Sequence, residues 1–460
     1  MTPGDAAVAA ATYDRGPNGA GHTIEEPNGP PIVCFPFAGD LAGGSHLSAA
    51  KLLQHLDWAR YQPLVVLHRT EGEVAELLRA AGVAFEPAPH EGFVEGCGPA
   101  DVAFVLTGTL RFARFLRRRR VRIVHTNDGL THATWALPTR LARARLLWHH
   151  RKEPEARGMR FLAPWAADRV ISVSRFSAPR PGLFSAARKC TVVHSPFDTT
   201  AGADRAASRH TLIEELQCPP ATRVIGFFGS LLARKRPLIF VDTIAEIRAR
   251  APELPLAALI FGQDRDGCAE AVRRRAEARG VADCVRLMGF RYPPEPWLAA
   301  CDVLLVPAID EPFGRTLIEA MLLGTVVVAA ASGGNLEAVR DGVTGFLARP
   351  DDPGALAAAV LRVLKDLALH KSVAEAARRD AVGRFGLREH ADAVMRIYDA
   401  MLSTAAATEE GARAGCDRLA MSPQARQRET AALALEGGVA MSGRVNGGRD
   451  PLARGPQRSS

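Results

Sequence analysis

Short apolar runs alternate with longer amphipathic stretches over most of the chain. The apolar runs are rich in β-branched and aromatic residues and have the length expected of strands. They predict strands at 31–37, 62–68, 83–87, 121–126, 145–150, 169–174 and 190–195 in the first half, and at 223–229, 255–262, 284–290, 302–308 and 325–331 in the second. The stretches between them, such as 44–56 and 72–82, have the periodicity of helices. Strands that alternate with helices form parallel sheets buried on both faces, so the predicted fold class is α/β with two doubly wound, Rossmann-like domains.

Changes in composition mark the ends of the folded part and a join within it. Both ends of the chain are polar and poor in large apolar residues, as disordered tails are, and a stretch near 198–220 lacks strand character. The last apolar periodicity is that of an amphipathic helix. The predicted organisation is a disordered tail (1–29), a first domain (30–205), a second domain (206–385), a last helix (386–403) and a second disordered tail (404–460).

Composition favours an ordinary globular protein of a reducing compartment. The chain has 460 residues, of which 47% are hydrophobic and 23% charged. No apolar run is long enough to predict a membrane-spanning helix, and the first residues lack the basic start of a secretory signal. The eight cysteines show no Cys-x-x-Cys spacing, so neither a zinc site nor a disulfide framework is predicted. We therefore expect a cytoplasmic protein.

The net charge of +8 leaves several interpretations open. Arginines on solvated faces explain it without any function, whereas an anionic substrate, a membrane surface or a nucleic acid would give it a role. Nucleic acid is the weakest of these, because the basic residues are dispersed along the chain. The segment 111–120, "RFARFLRRRR", fits a helix that contacts the inner face of a membrane, but it fits the exposed end of an ordinary helix better.

A basic loop follows one of the buried strands of the second half. In "FFGSLLARKRP" (227–237), a strand ends at Gly229, the loop carries the three cations Arg234, Lys235 and Arg236, and Pro237 is placed to begin a helix. Cations beside a helix N-terminus attract phosphate groups. The alternative is a solvated basic loop, and the strand–loop–helix context favours a site for a diphosphate.

Two glutamates flank a turn in "EPFGRTLIEA" (311–320), which follows another buried strand. Glu319 is predicted to lie about one turn inside a helix and to accept hydrogen bonds from two vicinal hydroxyls of a ribose. Glu311, on the loop, would bind a sugar hydroxyl or stabilise positive charge at a sugar carbon. An arbitrary pair of glutamates would more often be solvated acids.

Glycines and histidines at other strand ends suggest further parts of a site. Gly43 and Gly44 lie between a strand and a helix, and the Ser332-Gly333-Gly334 turn has the same context. Glycines let the backbone approach a ligand closely, although a tight turn explains the second pair equally well. His149 and His150 end a strand, where a structural role and a role in a crevice are equally expected.

Other motifs of the sequence are judged negative. The Asp-x-Asp of "QDRDG" (263–267) lies in a polar loop without further metal-ligand spacing, so no metal site is predicted. The absence of GxGxxG, Walker, GxSxG and HExxH patterns weakens the dehydrogenase, NTPase, serine hydrolase and metalloprotease interpretations.

Taken in order, these motifs resemble those of the retaining family 4 glycosyltransferases, which have the GT-B fold and belong to the glycosyl transferases group 1. "EPFGRTLIEAM" resembles their E-x7-E segment, "GSLLARKRP" their phosphate loop, and "RLMGF" the strand near the nucleobase. "AGGSHLSAAKLL", "RIVHTND", "LWHHR" and "VISVSRFS" are similar to segments of the acceptor domain. The resemblance extends over about residues 31–402 and is strongest over 223–360.

The resemblance implies roles for individual residues. Lys235 would bind the donor phosphates, Glu319 the ribose and Glu311 the donor sugar, while His150 would act as the active-site histidine with Glu311. One departure is Ser230, which stands where the family usually has an arginine, so that Arg234 would have to supply the missing contact. The implied donor-binding residues are Gly229, Ser230, Arg234, Lys235, Met288, Gly289, Phe290, Phe313, Gly314, Arg315, Thr316, Leu317 and Glu319, and the implied residues of the acceptor side of the cleft are Gly43, Gly44 and His149.

The function that the resemblance implies is the retaining transfer of a hexose from a nucleotide-diphosphate sugar to a hydroxyl group. The acceptor would be a glycan, a lipid-linked compound or a small molecule of cell-envelope or polysaccharide biosynthesis, and neither a metal nor another cofactor is expected. Two domains would face a central cleft, and the protein would be cytoplasmic, with peripheral contact with the inner membrane as an option. The alternatives are a nucleotide-sugar 2-epimerase of the same fold and a noncatalytic nucleotide-sugar-binding subunit.

Overall fold

The computed structural model describes residues 29–38, 42–90, 99–200, 202–264 and 266–420. Within these ranges, the side chains of residues 99–106 and 404–420 are not described. The predicted first tail falls almost entirely outside the described residues, as does the second tail from residue 421 onward.

The first domain is a seven-stranded parallel sheet with helices on both faces. Its strands lie in the order β3-β2-β1-β4-β5-β6-β7. They span β1 Ile32–Phe37, β2 Gln62–Leu67, β3 Glu86–Pro87, β4 Val121–Thr126, β5 Arg145–His150, β6 Arg169–Ser172 and β7 Cys190–Val192. The helices are α1 Gly44–His55, α2 Glu73–Ala80, α3 Pro99–Arg118, α4 Gly129–Ala142 and α5 Ala163–Ala166, with a π-helical turn at Gly158–Leu162. Nearly every strand position toward the sheet centre is buried, which explains the continuous apolar runs in the sequence.

The second domain repeats this architecture with six parallel strands. Their order is β10-β9-β8-β11-β12-β13. The strands are β8 Arg223–Phe228, β9 Leu256–Phe261, β10 Val285–Gly289, β11 Val303–Val306, β12 Val326–Ala330 and β13 Phe346–Ala348. The helices are α6 Arg205–Leu216, α7 Pro237–Arg250, α8 Cys268–Ala278, α9 Glu295–Ala300, α10 Arg315–Leu322, α11 Asn335–Ala338, α12 Pro353–Lys365 and α13 Leu367–Arg384. The prediction of two doubly wound parallel-sheet domains is confirmed.

The last helix, α14 Leu387–Ala420, leaves the second domain and packs on the first. Val394 and Tyr398 are fully buried in the core that α1 and β1 also form. The Tyr398 hydroxyl lies 2.6 Å from Nδ1 of His125, and the Tyr61 hydroxyl donates to the Met395 carbonyl at 3.2 Å. The helix continues to Ala420, so the prediction that a disordered tail begins at residue 404 is wrong for residues 404–420.

Two predicted strands are reduced to two or three residues. The run 83–87 gives only the two residues of β3, because this edge strand pairs with β2 at Glu86 and Pro87 alone and proline cannot donate to a ladder. The run 190–195 gives only Cys190–Val192. Beyond the strand, His194 contacts Glu337 of the other domain, and the Ser195 hydroxyl accepts a hydrogen bond from Arg151 of the first domain.

The carboxyl ends of both sheets face each other across a cleft of about 1030 Å³. Side chains connect the domains beside it: Glu337 of α11 accepts hydrogen bonds from the backbone N–H groups of Arg175 and Phe176 at 2.9 and 2.8 Å. Arg315 of α10 donates to the Ser48 hydroxyl of α1 at 2.9 Å. A search of the described residues found no helix with the length and apolar character needed to cross a membrane. The cleft is where parallel sheets of this kind bind ligands.

Candidate active site

The basic loop after β8 forms one wall of the cleft. Gly229 directly follows the strand with a φ of 144°, a conformation that favours glycine. A short 3-10 turn, Ala233–Lys235, then leads into α7, which begins at Pro237 as the sequence predicted. Arg234 and Lys235 are therefore placed at the carboxyl edge of the sheet, and both line the cleft.

The Glu311 carboxylate joins these two cations. Its Oε2 lies 2.6 Å from Lys235 Nζ and 2.9 Å from Arg234 Nη1, and its side chain is only 12% exposed. Burial by itself would raise the pKa of Glu311, but the charges of Lys235 and Arg234 outweigh it and hold the pKa below its ordinary value. Glu311 is therefore ionised at neutral pH, and it occupies the cations that a diphosphate would need.

The third cation of the loop points elsewhere. Nε of Arg236 lies 3.1 Å from Oδ1 of Asp351, on the surface of the second domain. Arg236 adopts a φ of 57° as the cap of α7, which turns its side chain away from Glu311. Two of the three adjacent cations thus face the cleft, a division that the sequence pattern does not predict.

Glycines of the Ser332-Gly333-Gly334 turn hold the Glu311 loop in place. A Cβ on Gly333 would lie 2.7 Å from both N and O of Glu311, and one on Gly334 would lie 2.6 Å from O of Pro312. The Gly334 N–H donates to the Glu311 carbonyl at 2.7 Å. These glycines allow the backbones of two loops to approach each other, which is the tight-turn alternative of the sequence rather than a direct approach to a ligand.

Helix α10 begins right after Gly314 and carries the second glutamate. Glu319 Oε1 lies 3.4 Å from Arg315 Nη2, its side chain is 27% exposed, and burial raises its pKa. The Arg315 guanidinium lies 4.3 Å from the centre of the Phe197 ring. Gly314, Arg315 and Thr316 line the cleft, whereas Leu317 is fully buried beneath them. Glu319 therefore lies near the wall of the cleft, and its carboxylate forms an ion pair with Arg315.

Phe313 and Gly44 make the contacts between the domains possible at this point. Phe313 is buried and stacks on the His194 ring at a centroid distance of 5.1 Å. A Cβ on Gly44 would lie 2.8 Å from Cδ of Arg315, so this glycine gives room to the arginine of the other domain. Gly43 caps α1, and its N–H donates to Nδ1 of His46 at 3.1 Å. Gly44 therefore serves the domain interface, whereas Gly43 serves the start of α1.

Besides Gly229, Leu317 and Glu319, four of the predicted donor residues do not line the cleft. Met288, Gly289 and Phe290 lie at the carboxyl end of β10, two strands away from β8, where Phe290 is exposed. Ser230 follows Gly229 at the end of β8, and no hydrogen bond of its side chain is seen among the described residues. Their roles in nucleotide binding stay predictions.

The two adjacent histidines of β5 have different environments. His150 lines the cleft, and its Nε2 donates to the Glu153 carbonyl at 2.9 Å, which leaves Nδ1 as an acceptor. Burial lowers its pKa, so the ring is neutral. His149 is fully buried beneath the cleft and stacks on His125 and His390. The prediction that His149 faces the cleft is therefore wrong, because alternate side chains of a strand point to opposite faces.

A pair of polar side chains that sequence reasoning missed lies on the acceptor side. Nε2 of His46 and Oδ2 of Asp128 are 4.0 Å apart, and both atoms are buried without a hydrogen-bond partner among the described residues. Both residues line the cleft. Burial lowers the pKa of His46 and raises that of Asp128. Asp128 caps α4 through the Thr131 N–H, so an N-cap pattern in the sequence was its only signal.

Arg151 is a further cation that the sequence did not single out. Its guanidinium lies 3.4 Å from Ser195 Oγ and 3.5 Å from Asn127 Oδ1, and no described acid pairs with it. Burial, and next the charge of Arg315, lower its pKa to about 9, so it stays charged at neutral pH. The cleft is lined by six Lys or Arg and three Asp or Glu residues: Arg151, Lys152, Arg157, Arg234, Lys235, Arg315, Asp128, Glu153 and Glu311. Such an excess favours an anionic ligand.

Metal-ligating side chains do not converge here. Throughout the part of the chain that the structure describes, no group of three or more His, Cys, Asp or Glu side chains has an arrangement that could hold a metal ion. The metal independence that the resemblance implies stays a prediction.

Comparison with known proteins agrees with this geometry. Residues 222–366 match the family model of the glycosyl transferases group 1. The chain is 30% identical to the D-inositol 3-phosphate glycosyltransferase of Streptomyces scabiei over 406 residues, which are 80% of this chain and 88% of that protein. It is 34% identical to the enzyme of the same name from Corynebacterium jeikeium over 206 residues, which are 44% of this chain and 48% of that protein. The chain therefore spans about half of the second relative and most of the first.

A solved structure shows the same architecture. The Anabaena protein HepE, crystallised with UDP and glucose, superposes with a TM-score of 0.67 at 23% identity, over 80% of this chain and 99% of that one. At this identity the likeness supports the fold, which is GT-B, and leaves substrates open.

Proposed function

Because this chain belongs to the group 1 glycosyltransferases with the GT-B fold, we propose that it transfers a hexose from a nucleoside diphosphate sugar to a hydroxyl group of a small anionic acceptor. The acceptor oxygen bonds to the anomeric carbon of the sugar. The bond from that carbon to the diphosphate breaks, and a nucleoside diphosphate and a proton are released.

The observation that carries the donor half of this proposal is the cluster of Glu311, Arg234 and Lys235. Two cations beside the start of α7 lie where a leaving diphosphate gains negative charge, and such preorganised charges stabilise a transition state strongly. When the diphosphate binds Arg234 and Lys235, the Glu311 carboxylate no longer pairs with them. It then turns toward the sugar and accepts a hydrogen bond from a sugar hydroxyl. HepE was solved with UDP, and we propose UDP as the nucleotide here.

The acceptor half rests on the side chains of the first domain. Arg151 is a charged guanidinium without a described acidic partner, and Lys152 and Arg157 line the same part of the cleft. The matched relatives are named for D-inositol 3-phosphate, so we propose a phosphorylated polyol whose phosphate pairs with these cations. The unpaired Asp128 Oδ2 would accept a hydrogen bond from an acceptor hydroxyl.

The finer features of the reaction remain part of the proposal. Retention of the anomeric configuration and metal independence follow from the resemblance of the E-x7-E segment and the basic loop. A cytoplasmic location agrees with the scattered cysteines. Closure of the two domains over the donor would exclude water and limit hydrolysis.

A panel of UDP-, GDP- and ADP-sugars tests the donor by thermal unfolding. At 100 times its dissociation constant, a donor should stabilise the protein by about 2.7 kcal/mol. UDP-sugars should raise the unfolding temperature in the wild type. Lys235→Ala should abolish this shift, and loss of its pair with Glu311 should also lower the melting temperature of the free protein. If no nucleotide sugar shifts the wild type, the proposed donor class is wrong. If a sugar isomer forms from the donor without acceptor, the epimerase alternative replaces the transferase.

A further inference from the structure

Four buried rings beneath the acceptor side of the cleft take no part in the proposed reaction. His125 of β4 and His149 of β5 are fully buried, and Tyr398 and His390 come from α14 and are buried as well. The His149 ring stacks on those of His125 and His390, at centroid distances of 5.3 and 5.9 Å. Buried histidines keep polar atoms away from water, which costs free energy unless these atoms are hydrogen-bonded. Their hydrogen bonds lead to one residue of the cleft wall, Arg151.

Three hydrogen bonds connect the last helix to the Arg151 guanidinium. The Tyr398 hydroxyl lies 2.6 Å from Nδ1 of His125, and Nε2 of His125 lies 3.1 Å from Nδ1 of His149. The same Nδ1 lies 3.4 Å from Nη2 of Arg151, which lines the cleft. The chain of hydrogen bonds therefore begins on α14 and ends at the wall of the cleft.

The two ends of this chain of hydrogen bonds set its direction. A guanidinium can only donate, so Nδ1 of His149 must accept, and Nε2 of His125 donates to the same atom. Nδ1 of His125 then accepts from the Tyr398 hydroxyl, which keeps its proton because burial raises the pKa of this phenol well above its ordinary value. With the opposite direction, His149 would present an N–H to Arg151, and two donors would face each other.

His149 is therefore a neutral acceptor, and the other side of its ring bears the cost. Burial lowers the pKa of His149 and of His125 well below the ordinary value, so both rings are uncharged at neutral pH. The single ring proton of His149 is on Nε2, an atom that is buried and has no hydrogen-bond partner among the described residues. The fold thus leaves one donor unpaired while it presents Nδ1 to Arg151.

The other side chains that contact Arg151 are neutral as well. Its guanidinium lies 3.4 Å from Ser195 Oγ and 3.5 Å from Asn127 Oδ1, and no acid among the described residues pairs with it. A carboxylate in place of one of these acceptors would compete with an anionic ligand, whereas neutral acceptors orient the guanidinium and leave its charge available. All three contacts are long, so the loss of one should allow the side chain to move.

We propose that His149 is a positioning residue that holds the Arg151 guanidinium toward the phosphate of the acceptor. Tyr398 and His125 keep Nδ1 of His149 in its accepting form. The last helix, which leaves the second domain, thereby contributes to the choice of acceptor without touching it. This role of His149 rests on the proposed function, in which Arg151 pairs with the acceptor phosphate.

The experiment measures the phosphate preference, which is kcat/KM for inositol phosphate divided by kcat/KM for inositol, with a UDP-hexose as donor. His149→Phe keeps a buried ring and removes the accepting atom, whereas His149→Asn restores an oxygen close to the position of Nδ1. Tyr398→Phe removes one hydroxyl from the start of the chain of hydrogen bonds. Its matched control is Tyr61→Phe, which removes a hydroxyl that donates to the Met395 carbonyl of the same helix, outside that chain.

We expect His149→Phe to lower the phosphate preference about threefold to tenfold, the effect of one lost hydrogen bond, and His149→Asn to retain most of it. In Arg151→Gln, which has already lost the phosphate contact, His149→Phe should cause no further change in the preference. Tyr398→Phe and Tyr61→Phe should both lower the melting temperature. Only Tyr398→Phe should also lower the preference, by about twofold or more.

Equal losses of kcat/KM for both acceptors in His149→Phe would show that the ring serves packing alone and would overturn the positioning role. A wild type without phosphate preference would refute the proposed acceptor and this role with it, whereas a preference that survives in the variants would refute the role of His149 only. Nitrogen-15 NMR of the wild type gives an answer that does not depend on the folding of any variant. The His149 ring should carry its proton on Nε2, and a proton on Nδ1 would overturn the proposal.

Discussion

Replacement of Glu311 by glutamine should make the enzyme bind free UDP more tightly. In the structure, the Glu311 carboxylate accepts from Lys235 Nζ at 2.6 Å and from Arg234 Nη1 at 2.9 Å. The diphosphate of a donor needs the same two cations, so Glu311 competes with it. Glutamine has nearly the same shape but no charge, and it leaves the cations to the ligand.

The size of the effect follows from the exposure of the three side chains. Lys235 and Glu311 are 16% and 12% exposed, and hydrogen bonds between charged groups with little exposure contribute about 1.5–3 kcal/mol. Arg234 is 49% exposed, so solvent reduces its pairing to about 1 kcal/mol or less. Relief of this competition should lower the dissociation constant of UDP by about tenfold to a hundredfold.

Titration calorimetry measures the affinity of the wild type and of Glu311→Gln for UDP and for the intact donor. The gain should be smaller for the intact donor, because glutamine no longer offers a carboxylate to the sugar, and turnover should fall by about a hundredfold or more. The control is Asp351→Asn, which removes the partner of Arg236, the neighbouring cation that faces away. Asparagine also tolerates the φ of 53° at this position.

If Glu311→Gln binds UDP no more tightly than the wild type, while Asp351→Asn also leaves the affinity unchanged, then Glu311 does not compete with the diphosphate. A gain of equal size in Asp351→Asn would instead show that any lost negative charge near the loop improves binding, and the specific pairing would lose its role.

Three further predictions concern the support of the site, its acceptor side and its buried histidines. Gly333→Ala should lower the turnover rate and the melting temperature by more than Gly342→Ala does. Both glycines have a positive φ, but only at Gly333 would a Cβ contact Glu311. Equal losses of turnover and melting temperature in the two variants would contradict this. Arg151→Gln should raise the KM of a phosphorylated acceptor about tenfold or more and leave that of its unphosphorylated analogue unchanged, and equal KM changes would refute the phosphate contact. Burial lowers the pKa of His390 to about 3 in the folded protein, so the unfolded chain takes up a proton at a higher pH than the folded one. The melting temperature should therefore fall as the pH decreases below about 6.5. A melting temperature that stays constant between about pH 7.5 and 5.5 would contradict this.

The sequence was sufficient to predict the architecture and the strand-end positions of Lys235 and Glu311. Continuous apolar runs such as 223–229 can be buried only inside a parallel sheet, and the order of strands and helices then places every loop at a known edge. The position of Lys235 before α7 and of Glu311 before α10 followed from that rule alone. Cleft residues that follow a strand directly are therefore predictable.

Features that depend on two distant segments were not predictable. The sequence could not show that Arg236 pairs with Asp351, or that His149 packs under the cleft on His390, which comes from the last helix. Asp128 resembled an ordinary helix cap, and only the fold reveals that its second carboxylate oxygen lies unpaired near His46. The continuation of α14 to Ala420 was missed because its composition there resembles that of a disordered tail.

The central claim is that this glycosyltransferase uses a UDP-hexose and a phosphorylated polyol. The most direct test incubates the protein with each UDP-hexose and inositol phosphate, and measures release of UDP together with the mass of the glycosylated acceptor. We predict acceptor-dependent release of one UDP for each glycoside formed, in the wild type and not in Lys235→Ala. UDP release that does not depend on the phosphorylated acceptor, or equal transfer to unphosphorylated inositol, would contradict the account.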